Sequence, residues 1–361
     1  MISSPYAILY CVLAYQLLQR WIARGKAQWE RKLKTFEAEH HGVIIEGDPK
    51  KRLLFVVVPS SGAGKAMECY PECMRALQQR KERFTIEVYV TKSSLDVQTL
   101  VEGRRSKVDI SEYCGIIMLS GDSSITELIQ APLRANKGKW KHPPILHLPG
   151  GTTNLLSKEL FRGKPMHEIL SEFSIDTVKR ASVIEVSSPG SSPVYATHVA
   201  IQGLGRHMLM AAEGHRSGLY AVFGKIILPF IMLPMIFSPP NKNESPYFSM
   251  LIASTKNFAG GNDSGFDLDL FDNKLLMLHV VQYEGGLHYI QNVLGGMFSG
   301  DLARWYKDSK LPKGLEVKLE NRFDLDDHDF HFVLDGTTTV ALKGKPVSVE
   351  CLGEALPYFV L

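Results

Sequence analysis

The sequence predicts an α/β domain of the doubly wound kind followed by an antiparallel, β-sandwich-like domain, and three observations predict it. Apolar runs with β-branched residues recur at 53–58, 84–89, 113–119 and 145–148, each followed by a turn and then a stretch of helical spacing. Uninterrupted runs of this kind suit strands covered on both faces, as in a parallel sheet. Beyond about residue 180 the texture changes to alternating stretches separated by Pro, Gly, Asn and Asp, the pattern of antiparallel strands. A length of 361 residues accommodates two such domains at roughly 100–200 residues each.

Taken in order, residues 1–45 open with an apolar run, 2–18, followed by Arg24, Lys26, Arg31, Lys32 and Lys34. The run is at the lower limit for crossing a bilayer, and its flanking charges would leave the body of the protein on the cytoplasmic side. A membrane anchor or interfacial helix is expected, with a helix docked on the core as the alternative. Residues 46–180 form the α/β domain, with helical stretches at 66–80, 96–102, 126–135 and 155–160. Residues 181–361 form the β-rich domain, with strands at 182–186, 195–201, 275–281 and 330–334. A last strand at 346–351 is a candidate to return to the first domain. A second apolar run, 219–237, carries one lysine and prolines at 229 and 234. It reads either as a buried helix pair broken at the prolines or as a surface that meets a lipid tail.

Composition narrows the function. The chain has 41 basic and 38 acidic residues, net charge +3, which does not suggest a nucleic-acid binder. Five cysteines without CxxC spacing argue against a disulfide framework or a structural zinc site. Cys69 and Cys73, at i and i+4 on a helix, read as packing residues. Twelve histidines show no HExxH spacing, so a zinc hydrolase is not indicated.

The chemistry lies in three turns that follow strands, where open α/β sheets bind ligands. Val58-Pro-Ser-Ser-Gly-Ala-Gly-Lys65 offers small residues whose amides can close around an anion, without the spacing of a Walker A loop. Leu119-Ser-Gly-Asp-Ser-Ser-Ile-Thr-Glu127 places Asp122 at a strand end, with Ser123, Ser124 and Thr126 available to cap the next helix. Leu148-Pro-Gly-Gly-Thr-Thr-Asn154 again offers glycines and hydroxyls before a helix.

In order and spacing these turns resemble the diacylglycerol kinase catalytic-domain superfamily, which includes sphingosine and ceramide kinases. Its NPxSGxGK-like, GGDGT or SGDG, and P-x-GTGN or GSGN turns read here as VPSSGAGK, SGDSSITE and LPGGTTN. Leu334-Asp-Gly-Thr337 resembles the family's DGE motif. The SGD and PGG turns lie nearer the sphingosine kinase type. The resemblance covers about 310 residues, from 50 onward.

The resemblance implies an ATP- and Mg²⁺-dependent kinase that phosphorylates a hydroxyl of a membrane lipid at the membrane surface, possible homodimerisation included. Ser61, Gly62, Gly64, Gly121, Ser123, Thr152, Thr153 and Asn154 would surround the nucleotide. Asp122 would be the general base or organise Mg²⁺, and Asp335 would assist with metal or nucleotide. The stretch Glu213–Gly218 resembles an E-x-x-R-x-x-G motif shortened by one residue, with Arg216 as a phosphate contact. Arg206 and His207 stand where sphingosine kinases carry acids that meet the sphingoid ammonium. Cations there would repel an ammonium, so a neutral diacylglycerol- or ceramide-like alcohol is expected. Val58, Ser123, Ser124, Thr153 and Thr337 depart from the family pattern, and a β-branched Thr153 at positive φ would be strained. A catalytically weak, lipid-binding pseudo-kinase is the second reading. A soluble kinase of the NAD kinase type leaves the apolar runs without a purpose.

Overall fold

The computed structural model describes residues 5–101, 108–203, 206–207, 233–234, 236–237, 249–256, 265–280, 285–288, 290–291, 301–311, 315–336 and 338–361. Arg104, Arg105, Arg216, Thr337 and most of the 219–237 run lie outside the described residues.

Helix α1 (Pro5–His40) precedes a short strand, β1 (Ile44–Ile45), and four strands alternate with helices after it. These are β2 (Arg52–Val57), α2 (Lys65–Gln78), β3 (Thr85–Val90), α3 (Ser94–Thr99), β4 (Gly115–Ser120), α4 (Asp122–Ala135) and β5 (Ile145–Pro149), then α5 (Leu155–Phe161) and α6 (Met166–Glu172). β2 pairs in parallel with β3 on one side and β4 on the other, and β4 pairs in parallel with β5. The spatial order is thus β3-β2-β4-β5, which reverses direction between β2 and β4. Such a reversal opens a crevice at the carboxyl ends of the two strands. β2 and β4 are buried almost throughout, as their unbroken apolar sequences require.

The antiparallel part comprises β6 (Val178–Ser187), β7 (Val194–Ala196), β8 (Val199–Gly203), β9 (Ser249–Ala253), β10 (Leu275–Val280), β11 (Leu315–Glu320), β12 (Arg322–Leu334) and β13 (Thr338–Phe359), with a helix, α7 (Asp301–Lys307), before β11. The stretch read as one strand, 195–201, is two strands broken at Thr197-His198. β10 is buried on both faces: Leu275 and Met277 face one cluster with Phe330 and Phe332, while Leu276, Leu278 and Val280 face another with Leu315 and Val317. Its continuous apolar sequence follows from that double burial.

The two parts share one hydrogen-bonded strand path, because β13 is far longer than the six residues read from the sequence. It pairs antiparallel with β12 and β6, and at Tyr358 in parallel with Ile145 of β5. This brings the chain's last residues against the α/β layer.

α1 is 36 residues long, about 54 Å at 1.5 Å per residue. Among the described residues no helix is long and apolar enough to cross a membrane. The later part of α1 docks on the α/β layer, where Phe36 packs edge-on against Tyr70 of α2 at 5.1 Å. Side chains of residues 5–15 are outside the description.

Candidate active site at the strand switch point

The topology sets the turns after β2, β4 and β5 side by side. In the first, Gly62, Ala63 and Gly64 all have positive φ, 60°, 56° and 98°. A side chain on Gly64 would also meet Trp29 of α1 at 2.7 Å. Ser61 Oγ accepts the Gly121 N–H at 2.9 Å, tying the first turn to the second. A Cβ on Gly62 would stand 2.8 Å from the carbonyl oxygen of Gly150, and one on Gly151 2.5 Å from Cα of Gly121. The glycines let three turns approach one another backbone to backbone. Gly151→Ala is therefore expected to cost about 1–3 kcal/mol through overpacking. Thermal melts of wild type and variant check it.

The third turn closes on itself. Asn154 Oδ1 accepts the Gly151 N–H at 2.6 Å and Nδ2 donates to Gly151 O at 3.0 Å. The side chain of Asn154 is thereby committed to the turn. The left-handed residue here is Asn154, φ 53°, and Thr153 is not in that region. The strain expected at Thr153 falls on a residue type that tolerates αL.

Asp122 is the first residue of α4 and 7% exposed. It caps a different helix from the one it begins: Oδ2 accepts the Leu155 N–H at 2.8 Å and Oδ1 the Leu156 N–H at 3.3 Å, at the start of α5. Two imidazoles flank it. His147 Nδ1 is 3.9 Å from Oδ1, and His198 Nε2 is 3.9 Å from Oδ2. His147 Nε2 lies 3.3 Å from the Ser120 carbonyl oxygen, an acceptor, so that nitrogen carries the proton. Its Nδ1 has no hydrogen-bond partner among the described residues. Complete burial lowers the pKa of His147 against the opposing pull of Asp122, keeping the ring neutral. Ser124 and Thr126 lie inside α4 instead of capping it, and the Thr126 hydroxyl donates to Asp335.

Asp335, at φ 46° just after β12, is surrounded by donors. Oδ2 accepts from the Thr126 hydroxyl, the Thr197 N–H at 2.5 Å and the Thr197 hydroxyl at 2.9 Å. Oδ1 accepts the N–H groups of His198 at 3.2 Å and Val199 at 2.9 Å. A carboxylate offers about four lone-pair sites, so this one is saturated. Tyr358 of β13 reaches the same region. Burial first, then the charges of Asp335 and Asp122, push its pKa far up, and its hydroxyl has no partner among the described residues.

The structure thus brings together the turns that carry Ser61, Gly62 and Gly64, Gly121 and Ser123, and Thr152, Thr153 and Asn154, with Asp122 at the start of α4 in the second of them. Arg206 and His207, both half-buried, follow the far end of β8 from His198. The sequence reading missed His147, His198, Thr197 and Tyr358. Only a histidine inside the apolar strand β5 and the polar Thr197-His198 pair interrupting an apolar stretch could have signalled them. It also missed the cleft of about 970 Å³ between α1 and the first turn, lined by Arg24, Trp29, Arg31, Lys32, Ala63 and Gly64.

Small-residue turns with cations beside them fit a nucleotide's phosphates. For Mg²⁺ the two acids differ. Asp122 keeps lone pairs beyond its two amide bonds and fits a cation that is otherwise held by phosphates and water. Asp335 does not fit, because every lone pair is taken. Among the described residues no group of three His, Cys, Asp or Glu could hold a metal.

An open α/β sheet with glycine turns and a buried acid at its switch point defines the doubly wound class of fold, which binds ligands in that crevice. Residues 52–186 match the sequence model of the diacylglycerol kinase catalytic domain. It is 26% identical over 194 residues to "Sphingosine kinase 1" of Arabidopsis thaliana, covering 51% of this chain and 38% of that protein. It is 30% identical over 113 residues to "Sphingosine kinase 2" of the same plant, covering 30% of this chain and 22% of that one. The chain therefore spans well under half the length of these curated relatives. A crystal structure of a diacylglycerol kinase from Bacillus anthracis str. Sterne superposes with a TM-score of 0.55 at 16% identity, over 88% of this chain and 98% of that one. At that identity the likeness speaks for the fold alone.

Proposed function

We propose that this chain is an ATP-dependent kinase that phosphorylates a hydroxyl group of a membrane lipid. The observation that carries this reading is the meeting of three glycine turns around one buried carboxylate, Asp122, at the switch point. Phosphoryl transfer asks for positioning and charge neutralisation more than covalent chemistry. The turns at 61–64, 121–123 and 151–154 would cradle the phosphates, with Arg24, Arg31 and Lys32 beside the first. The lipid oxygen attacks the γ-phosphorus, its proton passes to Asp122, and ADP leaves. Mg²⁺, when bound, would neutralise phosphate charge, with Asp122 as the carboxylate able to meet it. The α5 amides hold Asp122 in a fixed orientation for either duty.

Arg206 and His207 favour a neutral lipid alcohol of the diacylglycerol or ceramide type over a sphingoid base. The apolar runs that the sequence carries at 2–18 and 219–237 are assigned to work at a membrane in this reading. The domain division at about residue 180 is part of this reading, with the nucleotide bound by the first part and the lipid by the second.

The test is phosphate transfer from radiolabelled ATP to a panel of lipids in mixed micelles. Labelled diacylglycerol or ceramide is expected; preferential labelling of sphingosine would sink the head-group assignment. Mg-ATP at 100 times its Kd is expected to stabilise the protein by about 2.7 kcal/mol. A melting curve that ignores the nucleotide would favour a lipid-binding pseudo-kinase instead.

A further inference from the structure

We propose that His198 is a positioning residue for Asp122, and that Asp335 is the anchor of His198. This rests on the kinase reading only for the role of Asp122, since the linkage itself is geometric.

The chain of contacts starts at Asp335. Its carboxylate collects the amides of Thr197, His198 and Val199, three successive residues at the break between β7 and β8. Its own N–H donates to Val199 O at 2.9 Å, and Thr126 ties it to α4 one turn beyond Asp122. One side chain therefore fastens β12, the β7–β8 break and α4 together. The break turns the His198 ring inward, where it is 2% exposed.

The ring's orientation follows from its neighbours. Nδ1 lies 2.8 Å from Thr197 Oγ1 and 3.0 Å from Asp335 Oδ1. The Thr197 hydroxyl spends its proton on Asp335 Oδ2, so Nδ1–H is the donor toward Thr197. Nε2 is left on the far edge of the ring, 3.9 Å from Asp122 Oδ2. His147 stands at the same distance from the other oxygen. The two rings form walls on either side of the carboxylate. His147 comes from β5 of the α/β layer, while His198 comes from the antiparallel part. Through His198 the second part of the chain limits how the acid of the first part can turn. A shift of about 1 Å in a reacting group can cost a hundredfold in rate.

Two substitutions separate positioning from support. His198→Asn keeps a donor near the Nδ1 position but leaves the Asp122 side empty. His198→Gln carries its amide out to the Nε2 position. We expect kcat to fall at least tenfold in H198N with the KM for ATP within about twofold, and to recover to within about threefold of wild type in H198Q. A purely structural role predicts the reverse order, because Asn keeps the hydrogen bond to Thr197. Equal losses in both variants, or a loss confined to Gln, would overturn the proposal. A second measurement does not need turnover: imidazole ¹⁵N resonances of the full chain, with those of His198 identified by their absence in H198N. Asp122→Asn should shift the His198 Nε2 signal, and Asp335→Asn should change the Nδ1 signal. If the wild-type chain labels no lipid, the kinase reading fails by itself and these spectra decide. His198 signals indifferent to both substitutions would refute the linkage.

Discussion

Asp122→Asn is expected to lower phosphate transfer to lipid by about 10²–10⁴-fold, the range that a positioned proton acceptor contributes. The substitution is nearly isosteric and keeps one oxygen for the α5 amides that the carboxylate now accepts at 2.8 and 3.3 Å. The fold should therefore survive, with a loss of about 1 kcal/mol for one weakened hydrogen bond. The comparison of radiolabel transfer with thermal melting separates the two effects. Full transfer by a well-folded Asp122→Asn chain would remove Asp122 from the chemistry. Asp122→Ala makes a useful contrast, since it strands both amides at the start of α5.

Asp335→Ala should show the largest loss of stability, about 3–5 kcal/mol, because it leaves several buried donors without an acceptor at once. The donors come from α4 and from the β7–β8 break, so the loss should loosen both. Denaturant titration of wild type and variant measures it. Asp335→Asn, with one acceptor oxygen and an amide facing N–H groups, should fall between them. A metal ligand behaves differently: Asp335→Ala would then cost activity and metal dependence while barely moving the denaturation midpoint. The saturated carboxylate argues for the stability loss.

The same two acids show how far the sequence could be read. Asp122 was legible because its setting is local: an apolar strand, a small-residue turn, then a helix. Its partners were not. Its neighbours in the chain point only to α4, yet the carboxylate caps α5, more than thirty residues away. Asp335 was legible as a motif residue, which the resemblance gave to metal or nucleotide, but nothing near it in the chain reveals Thr126, Thr197 or His198, whose donors fill its carboxylate. The departure at Thr153 suggested strain, and the backbone instead places its left-handed residue at Asn154. The last strand was detected over six residues and runs over twenty-two, because its sequence mixes exposed and buried stretches as it passes between neighbours.

The sequence by itself determined the strands and helices of the α/β layer, the three turns and the central acid. Those are properties of runs a few residues long, where burial on both faces or a helix start leaves a direct mark on composition. The tertiary structure alone decided which turns touch, which carboxylate is free and which is saturated, and that two histidines from different parts of the chain enclose Asp122. Those facts depend on the strand order β3-β2-β4-β5 and on β13 joining β5 at Tyr358. Pairing between distant strands is set by how the whole chain closes its sheet, and no local run of residues records it.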